Sequence, residues 1–222
     1  MLKIDSLTKF YGKKKIFNNI SFFVQPGEIV GLIGENGAGK STLLSILATL
    51  QSPSKGSFSL NELKFPINKK EIRKQIGFVP QEIALWEDFT VEENMLFFEK
   101  LSWVKKDKDQ LRQLCLNMKL DKWQEPTKVL SGGMKRKLNL AISLIHDPKL
   151  LLLDEPTVGI DLKSKIEIGN HLKALANSGI MIVYTSHDMD EINSLCDRIV
   201  CIGEDNFYQQ LLANSGKEIL SF

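Results

Sequence analysis

A glycine-rich segment that ends in lysine and serine carries the clearest chemical signal in the sequence. Residues 34–41 read Gly-Glu-Asn-Gly-Ala-Gly-Lys-Ser, which fits the pattern G-x-x-x-x-G-K-[ST] between a predicted strand and a predicted helix. Glycines let such a loop wrap closely around a phosphate, and its backbone N–H groups and the helix N-terminus supply positive potential. The pattern therefore predicts a phosphate-binding loop rather than a plain glycine-rich turn with a surface lysine.

The side chains of this loop have separate predicted roles. Lys40 is predicted to reach the β- and γ-phosphates of a nucleotide, and the Ser41 hydroxyl to ligate Mg²⁺. Thr42 is expected to add a further phosphate contact. The residues predicted to contact the nucleotide here are Gly34, Glu35, Asn36, Gly37, Ala38, Gly39, Lys40, Ser41 and Thr42.

Two adjacent carboxylates form the second chemical feature. Asp154 and Glu155 directly follow the four leucines at 150–153, which have the length and apolarity of a buried strand. The end of such a strand in an open α/β sheet faces the ligand crevice. Asp154 is predicted to bind Mg²⁺ through water, and Glu155 to orient or deprotonate the attacking water. Taken alone, the pair fits an acidic turn before Pro156 equally well.

Strands and helices must bring these segments together, and hydrophobic spacing predicts their order. The first quarter of the chain has strand character, whereas helical periodicity dominates from about residue 90 to 146. The alternation of strand and helix after that stretch indicates a parallel sheet with crossover helices. Predicted strands lie at 28–33, 56–60, 76–79, 150–154, 180–185 and 198–202, and predicted helices at 41–50, 91–101, 107–118, 131–146, 162–176 and 189–195.

The third helix of the helical stretch begins with a serine and two glycines. Ser131 suits the N-cap position, and simple capping is one explanation of Ser131, Gly132 and Gly133. The rest of this helix is predicted to be amphipathic. Its apolar stripe is Met134, Leu138, Ala141 and Ile145, and its opposite side is Lys135, Arg136 and Lys137.

Five aromatic residues lie between residues 81 and 103. General burial tendencies predict that most of them belong to the core of the helical stretch. Aromatic side chains are also favoured at interfaces, so some of them are candidates to line a groove for a partner. They are Trp86, Phe89, Phe97, Phe98 and Trp103.

Composition restricts the classes of function. The chain has 222 residues with 29 Lys and Arg against 27 Asp and Glu, and this near balance does not suggest a nucleic-acid partner. The three cysteines have no metal-ligand spacing and are expected to be reduced thiols. The N-terminus lacks the pattern of a signal peptide, and no apolar run approaches the length of a membrane span.

Several motifs in a fixed order resemble those of the ATP-binding cassette (ABC) ATPase family. The phosphate loop, the Leu-Ser-Gly-Gly segment at 130–133, the Asp154-Glu155 pair and a later His187 stand in that family's order. The resemblance covers nearly the entire chain. It implies an α/β P-loop NTPase core, an N-terminal antiparallel β-subdomain and an inserted α-helical subdomain. In a single ABC domain of 222 residues, the core with its β-subdomain would take 1–89 and 147–222, and the helical subdomain about 90–146.

The resemblance also implies roles that single residues do not reveal. Tyr11 matches the aromatic residue that stacks on adenine, although alone it fits a tyrosine at a strand edge. Gln81 matches a glutamine that senses Mg²⁺ and water and couples to the membrane subunit. Asp161 matches a loop that crosses the dimer interface, and it also suits a helix N-cap. His187 matches a histidine that contacts the γ-phosphate.

In that family the Ser131 segment binds the ATP held by another subunit. Ser131, Gly132 and Gly133 would then contact the γ-phosphate of that nucleotide, as a helix N-terminus can. The implied cofactors are ATP and Mg²⁺. The implied partners are an integral membrane subunit and a second copy of the chain or a homologous ATPase subunit, at the cytoplasmic face of the cell membrane. Catalysis would depend on Glu155, His187 and Gln81, and metal binding on Ser41, Gln81 and Asp154.

One residue departs from the family pattern. Met134 ends the signature where many relatives have glutamine, so any polar role of that side chain is lost while the serine and glycines remain. Residues 134–141 and 158–161 resemble the exporter branch that handles drugs, antibiotics or lipid-linked substrates. The predicted function is therefore that of an ATP-hydrolysing subunit of an export transporter. The alternatives are an importer subunit, a soluble ABC ATPase and a binding module without turnover.

Overall fold

A computed structural model describes residues 1–203, 207 and 216–222 of the chain. Its strands form two sheets of different kinds, and its helices lie mainly between strands of the parallel sheet. The strands are β1 (Leu2–Tyr11), β2 (Lys14–Val24), β3 (Ile29–Ile33), β4 (Lys55–Leu60), β5 (Leu63–Lys64), β6 (Ile76–Val79), β7 (Leu150–Leu153), β8 (Met181–Thr185), β9 (Arg198–Cys201) and β10 (Glu218–Ser221). The α-helices are α1 (Lys40–Leu47), α2 (Lys69–Arg73), α3 (Val91–Leu101), α4 (Lys108–Asn117), α5 (Gly132–Ser143), α6 (Leu162–Asn177) and α7 (Met189–Leu195).

The predicted parallel sheet is present and has six strands in the order β10-β9-β3-β8-β7-β6. Every residue of β3, β7 and β8 is buried. Sheets of parallel strands are covered on both faces, so their central strands are apolar throughout rather than alternating. This explains the run of four leucines in β7. Because all strands point the same way, their carboxyl ends meet along one edge of the sheet.

An antiparallel sheet is formed by the N-terminal strands in the order β2-β1-β4-β5. β1 and β2 form a hairpin whose last pair is Tyr11 with Lys14. Buried and exposed residues alternate in part along these strands, as expected of a sheet with one covered face. The predicted antiparallel β-part therefore exists, and its hairpin turn lies at Gly12-Lys13.

The helical stretch contains α3, α4 and α5, which pack on one another. Thr90 and Asp107 begin α3 and α4 with reciprocal capping boxes, to Glu93 and Gln110 respectively. Ser131 caps α5 by accepting a hydrogen bond from the Met134 N–H at 3.3 Å. The structure describes every residue from 91 to 143 and has no strand there. Local capping signals thus place these helices within a few residues of their predicted bounds.

Some predicted boundaries differ from the structure, and several short elements were not predicted. α1 ends at Leu47 rather than residue 50, since Thr49 has a left-handed φ of 62° that no helix continues through. β5, α2 and β10 are two to five residues long, too short for a periodic pattern. Within the described residues, every helix falls short of the length and apolarity needed to cross a bilayer.

The prediction that Arg136 and Lys137 lie on the polar side of α5 is wrong. Both are buried, with only 5% of each exposed. Arg136 donates hydrogen bonds to the carbonyls of Pro80 and Gln81, and Lys137 pairs closely with Glu167 of α6. Specific partners for their charges allow these cations inside the protein, which a helical pattern alone does not reveal.

The prediction that most of the five aromatic residues after Gln81 belong to the core is also wrong. Trp86, Phe89 and Trp103 are exposed, and Phe97 and Phe98 are only half-buried. Trp86 lies 5.8 Å from Phe89 and 5.7 Å from Phe97 between ring centroids, so these three rings form a surface cluster. The tryptophan that the helical stretch buries is Trp123.

Candidate functional site

The parallel sheet places four predicted site segments side by side. The phosphate loop follows β3, His187 follows β8, the Asp154-Glu155 pair follows β7 and Gln81 follows β6. These strands are consecutive neighbours in the sheet. Ligands of open α/β sheets bind at the carboxyl ends of the strands. The arrangement therefore makes this edge the candidate site.

The glycines of the phosphate loop are required by its backbone. Gly34, Gly37 and Gly39 have φ angles of 151°, 87° and 101°. A Cβ on Gly34 would lie 2.1 Å from the Ile202 carbonyl oxygen, and one on Gly39 would lie 2.7 Å from Ile16 Cγ2. The loop is thus folded tightly against its neighbours and ends at the N-terminus of α1, where free backbone N–H groups suit an anion.

Lys40 is buried within this loop, with 7% exposed. Its Nζ donates hydrogen bonds to the carbonyl oxygens of Gly34 at 2.7 Å and Glu35 at 3.0 Å. Burial lowers the pKa of the Lys40 ammonium, and the nearby carboxylates of Glu155, Asp154 and Glu35 oppose that shift. The ammonium is therefore bonded to the loop and lies within the electrostatic influence of the carboxylates that follow β7. Ser41, the next residue, is exposed at the start of α1.

The hairpin of β1 and β2 lies over the phosphate loop. Ile16 and Phe17 of β2 are the side chains nearest Gly39. Tyr11 at the end of β1 is 48% exposed, its hydroxyl donates to Gln51 Oε1 at 2.6 Å, and Lys9 Nζ lies 4.9 Å from its ring centroid. The ring is thus held in place and still accessible, as stacking on a base requires.

Asp154 is a buried carboxylate at the end of β7, with 6% exposed. Its Oδ1 accepts a hydrogen bond from Thr185 Oγ1 at 2.9 Å, and its backbone N–H donates to the Val79 carbonyl at 2.9 Å. Thr185 of β8 therefore fixes the Asp154 side chain, and Val79 of β6 fixes its backbone. A fixed carboxylate at this edge is a suitable oxygen ligand for Mg²⁺.

Glu155 is the centre of a hydrogen-bonded trio. Gln81 Nε2 donates to Glu155 Oε2 at 3.0 Å, and His187 Nε2 lies 2.7 Å from Glu155 Oε1. These residues lie 74 and 32 positions from Glu155 in the sequence, and neighbouring strand ends bring them together. A glutamate held by an amide and an imidazole is oriented for proton transfer with a bound water.

The backbone at Glu155 is held in an unfavourable conformation. Its φ is 48°, in the left-handed region that non-glycine residues rarely adopt. The Glu155 N–H donates to Thr185 Oγ1 at 2.8 Å. Thr185 thus holds both carboxylate residues, since the same hydroxyl donates to Asp154. Strained residues persist where their surroundings fix them, and they cluster at functional sites.

The Ser131 segment and Asp161 form a second group of predicted residues. Asp161 caps α6, accepting from the Ser164 N–H at 2.9 Å and the Ser164 hydroxyl at 2.7 Å. These hydrogen bonds, the hydroxyl first, lower the pKa of the Asp161 carboxyl. A Cβ on Gly133 would lie 2.2 Å from Ser164 Oγ, so this glycine lets α5 and α6 touch. Ser131 remains exposed at the start of α5.

Two residues of the site were missed by the sequence analysis. The sequence predicts only that Thr185 is the last residue of a strand and that Arg136 lies on the polar side of α5. Arg136 holds Gln81 in place through the carbonyls of Pro80 and Gln81, at 3.1 and 2.9 Å. A cation beside the small residues that begin α5 is the signal that the sequence offers, although helical spacing alone predicts a position on the polar side of the helix.

The residues present fit ATP and Mg²⁺. The loop ends at the N-terminus of α1, Lys40 supplies a buried cation, and Asp154 and Ser41 supply oxygen ligands. Among residues 1–203, 207 and 216–222, no three His, Cys, Asp or Glu side chains group to hold a metal ion. Mg²⁺ is typically held by one or two carboxylates together with phosphate oxygens, so such a sparse donor set suits it.

The fold and the site together define a P-loop ATPase. A family model described as "ABC transporter" matches residues 17–158, which is more than half of the chain. The chain belongs to this family. The predicted fold class and ATPase class are thereby confirmed.

Curated relatives are similar over nearly all of the chain. The linearmycin resistance ATP-binding protein of Bacillus subtilis is 38% identical over 92% of this chain and 67% of its own length. Nod factor export ATP-binding protein I is 38% identical in Rhizobium etli and 40% in Burkholderia lata, over 91% and 90% of this chain and 65% and 66% of those proteins. The chain thus spans about two thirds of the length of these relatives.

Solved structures of the same fold include dimers. A dimeric bacterial ABC transporter cassette has a TM-score of 0.81 and 26% identity, covering 91% of this chain and 94% of the other. A dimeric post-hydrolysis state of an ATP-binding cassette bound to ADP and phosphate has a TM-score of 0.78 and 27% identity, with the same coverage. An ATP-binding subunit of an ABC transporter has a TM-score of 0.82 at 24% identity, a similarity in fold alone.

Proposed function

We propose that this chain binds and hydrolyses ATP to energise an export transporter whose membrane-spanning part is a separate subunit. The observation that carries the proposal is the carboxylate of Glu155, bonded to Gln81 and His187 beside a phosphate loop. The names of the relatives, which concern linearmycin resistance and Nod factor export, favour export over import. The near balance of charge gives no support to a nucleic-acid partner.

The catalytic step follows from the positions of the side chains. Lys40 and the N–H groups of the loop would stabilise the β- and γ-phosphates, and Glu155 would accept a proton from the attacking water. Gln81 and His187 would orient Glu155 and contact the water and the γ-phosphate. Mg²⁺, when bound by Ser41, Asp154 and Gln81, would neutralise charge on the phosphate oxygens.

Two ATP molecules would be enclosed between two such domains. Ser131 and Gly132 are exposed at the N-terminus of α5 and are free to meet the phosphate loop of a second copy or a homologous subunit. Asp161, fixed by Ser164, would lie in the loop that crosses this interface. Closing of the dimer around ATP would do the mechanical work, and hydrolysis would reopen it.

The membrane partner would bind beside Gln81, at the cytoplasmic face of the membrane. A groove of about 350 Å³ runs along this side of the protein between the loop after β6 and helices α3 and α5. Its wall includes Pro80, Phe98 and Trp103, and the exposed ring of Trp86 lies in the same segment. Exposed aromatic residues of this kind favour an interface. We assign residues about 90–146 to a helical subdomain that carries it, and 1–89 and 147–222 to the core.

Substituting the two exposed tryptophans of residues 81–103 is expected to uncouple ATP hydrolysis from transport. Trp86→Ala and Trp103→Ala remove large exposed rings, 53% exposed each, without opening the core. Removal of an interface tryptophan typically costs about 2 kcal/mol or more of binding. ATPase activity of the isolated subunit should stay near wild type, while capture of the membrane subunit falls by roughly tenfold or more. Co-purification from detergent-solubilised membranes measures this.

A matched control is Ile67→Ala, which removes an even more exposed apolar residue outside the groove. It should leave capture of the membrane subunit unchanged. If wild-type protein hydrolyses ATP but captures no integral membrane protein, the transport function is wrong. If the Trp86→Ala and Trp103→Ala variants capture the membrane subunit as well as the wild-type protein does, the interface lies elsewhere.

Loss of the Tyr11 ring is expected to weaken ATP binding. Stacking on a base contributes about 1–3 kcal/mol in nucleic-acid systems, so Tyr11→Ala should raise the Kd for ATP by roughly tenfold or more. Turnover at saturating ATP should be largely kept. Tyr11→Phe loses the hydrogen bond to Gln51 and keeps the ring, so it should bind ATP almost normally. Equal Kd values for the two variants, measured by calorimetry, would exclude stacking.

A further inference from the structure

One carboxylate in the first turn of α7 accepts three hydroxyl groups. Glu191 Oε2 accepts hydrogen bonds from Thr157 Oγ1 at 2.7 Å, Tyr184 Oη at 2.8 Å and Ser186 Oγ at 2.9 Å. The Glu191 side chain is only 15% exposed. Hydrogen bonds to a charged acceptor are about twice as strong as neutral ones, so this group ties three segments together firmly.

Two of those segments carry the catalytic pair. Thr157 lies two residues after Glu155, and Ser186 lies immediately before His187. Glu155 and His187 are themselves in contact at 2.7 Å. The carboxylate of Glu191 therefore bridges the two loops that carry this pair, through Thr157 and Ser186.

The second carboxylate oxygen connects this bridge to α6. Lys165 Nζ lies 3.1 Å from Glu191 Oε1 and 3.1 Å from Asp188 Oδ2. Asp188 in turn caps α7, accepting from the backbone N–H groups of Asp190 and Glu191. Lys165 lies one turn into the helix that Asp161 caps. The bridge thus contacts α6, α7 and the loops after β7 and β8.

The Glu191 carboxylate is ionised at neutral pH. Burial raises the pKa of the Glu191 carboxyl, but hydrogen bonds from Thr157, Tyr184 and Lys165 outweigh that effect and leave the pKa below its usual value. An ionised acceptor keeps all three hydroxyls directed toward it.

We propose that Glu191 is a positioning residue for ATP hydrolysis, which holds the loops of Thr157 and Ser186 at the separation where Glu155 and His187 meet. The inference rests on the proposed function of Glu155. It assigns to Glu191 no contact with nucleotide or water. Its effect should appear in the rate of the chemical step rather than in the affinity for ATP.

Glu191→Gln tests this assignment because it keeps the shape of the side chain and removes its charge. Misplacement of catalytic groups by about 1 Å can cost 100-fold in rate, so kcat should fall by roughly 10- to 100-fold. The Kd for ATP should change by less than about twofold, since the phosphate loop is untouched. Phosphate release and nucleotide binding are measured on the same preparations, together with thermal unfolding.

Asp190→Asn is the matched control, since it removes an exposed carboxylate from the same turn of α7. It should leave kcat unchanged. Thr157→Val, which removes one donor to Glu191 and no charge, should lower kcat in the same direction by a smaller factor. If Glu191→Gln fails to fold, the kcat of Thr157→Val tests the role of Glu191 instead.

A double variant separates positioning from general damage to the fold. Once His187→Ala has removed one member of the pair, adding Glu191→Gln should lower the single-turnover rate by less than about twofold. A full additional loss, an equal kcat for Glu191→Gln and Asp190→Asn, or a loss confined to ATP affinity would overturn the proposal. Absence of turnover in wild-type protein would instead overturn the proposed function.

Discussion

Glu155→Gln is expected to slow ATP hydrolysis by roughly 100-fold or more, the scale of a lost general base. The amide keeps the shape of the side chain and can still bond to Gln81 and His187, which lie 3.0 and 2.7 Å from the carboxylate oxygens. It cannot accept the proton of the attacking water. ATP should bind as before, because the phosphate loop and Lys40 are unchanged.

The slow variant should also accumulate as a closed dimer when ATP and Mg²⁺ are present. Closure requires the γ-phosphate, and reopening requires its loss, so a blocked hydrolysis step holds the dimer closed. Size-exclusion chromatography with light scattering, with and without ATP, measures the change in mass. Adding Ser131→Arg should abolish this dimer, since a bulky side chain would stand where the phosphate of the partner must lie.

Two control variants show whether the results depend on the bulk added at Ser131 and on the particular carboxylate removed at Glu155. Ser131→Ala loses the cap of α5, worth about 1 kcal/mol of stability, without added bulk, so the dimer should weaken much less. Glu82→Gln removes an exposed carboxylate next to Gln81 and should neither slow hydrolysis nor trap a dimer. A Glu155→Gln protein that stays monomeric at saturating ATP, even with the membrane subunit present, would rule out the enclosed pair of nucleotides.

Lys40→Met should reduce ATP hydrolysis by roughly 100- to 1,000-fold, the range seen when one donor to a developing charge is removed. Methionine fills the buried space of the lysine stem but carries no charge. The Lys40 ammonium now donates to the carbonyls of Gly34 and Glu35, within the influence of Asp154 and Glu155. Without this ammonium, the loop has no side-chain cation to stabilise the charge on the phosphates.

Steady-state phosphate release and nucleotide affinity should both report this change. Lys70→Met removes an exposed lysine from α2, far along the chain from the loop, and should leave both quantities at wild-type values. A thermal unfolding measurement shows whether Lys40→Met is still folded once the Gly34 and Glu35 carbonyls have lost their hydrogen-bond donor. Activity near wild type in a folded Lys40→Met protein would contradict the assignment of residues 34–41 as the phosphate loop.

The phosphate loop and most helices and strands were predictable from the sequence because their causes are local. Gly34, Gly37 and Gly39 are needed for φ angles of their own backbone, and Thr90, Asp107 and Ser131 cap helices that begin at the next residue. The buried strands appear as short apolar runs. The family resemblance supplied the fold class, which the matched family then confirmed.

The meeting of Gln81, Glu155 and His187 was decided by the order of strands in the sheet. β6, β7 and β8 are neighbours, so residues far apart in the chain end at the same edge. Each residue alone had an ordinary explanation as a loop glutamine, an acidic turn or a structural histidine. Their hydrogen bonds, and the support from Thr185, depend on contacts between strands that no local pattern records.

Burial of charged and aromatic side chains was likewise decided by packing. Helical spacing predicts that Arg136 lies on the polar side of α5, yet the protein buries it against two backbone carbonyls. Burial tendencies predict that most of the five aromatic residues after Gln81 are core, yet Trp86, Phe89 and Trp103 are exposed. Glu191 had no distinguishing neighbour in the chain, and its three hydroxyl donors come from segments that only the folded chain assembles. Sequence spacing fixes which face of its own helix or strand a residue occupies. Whether that face meets water, a partner charge or another helix depends on how the elements pack.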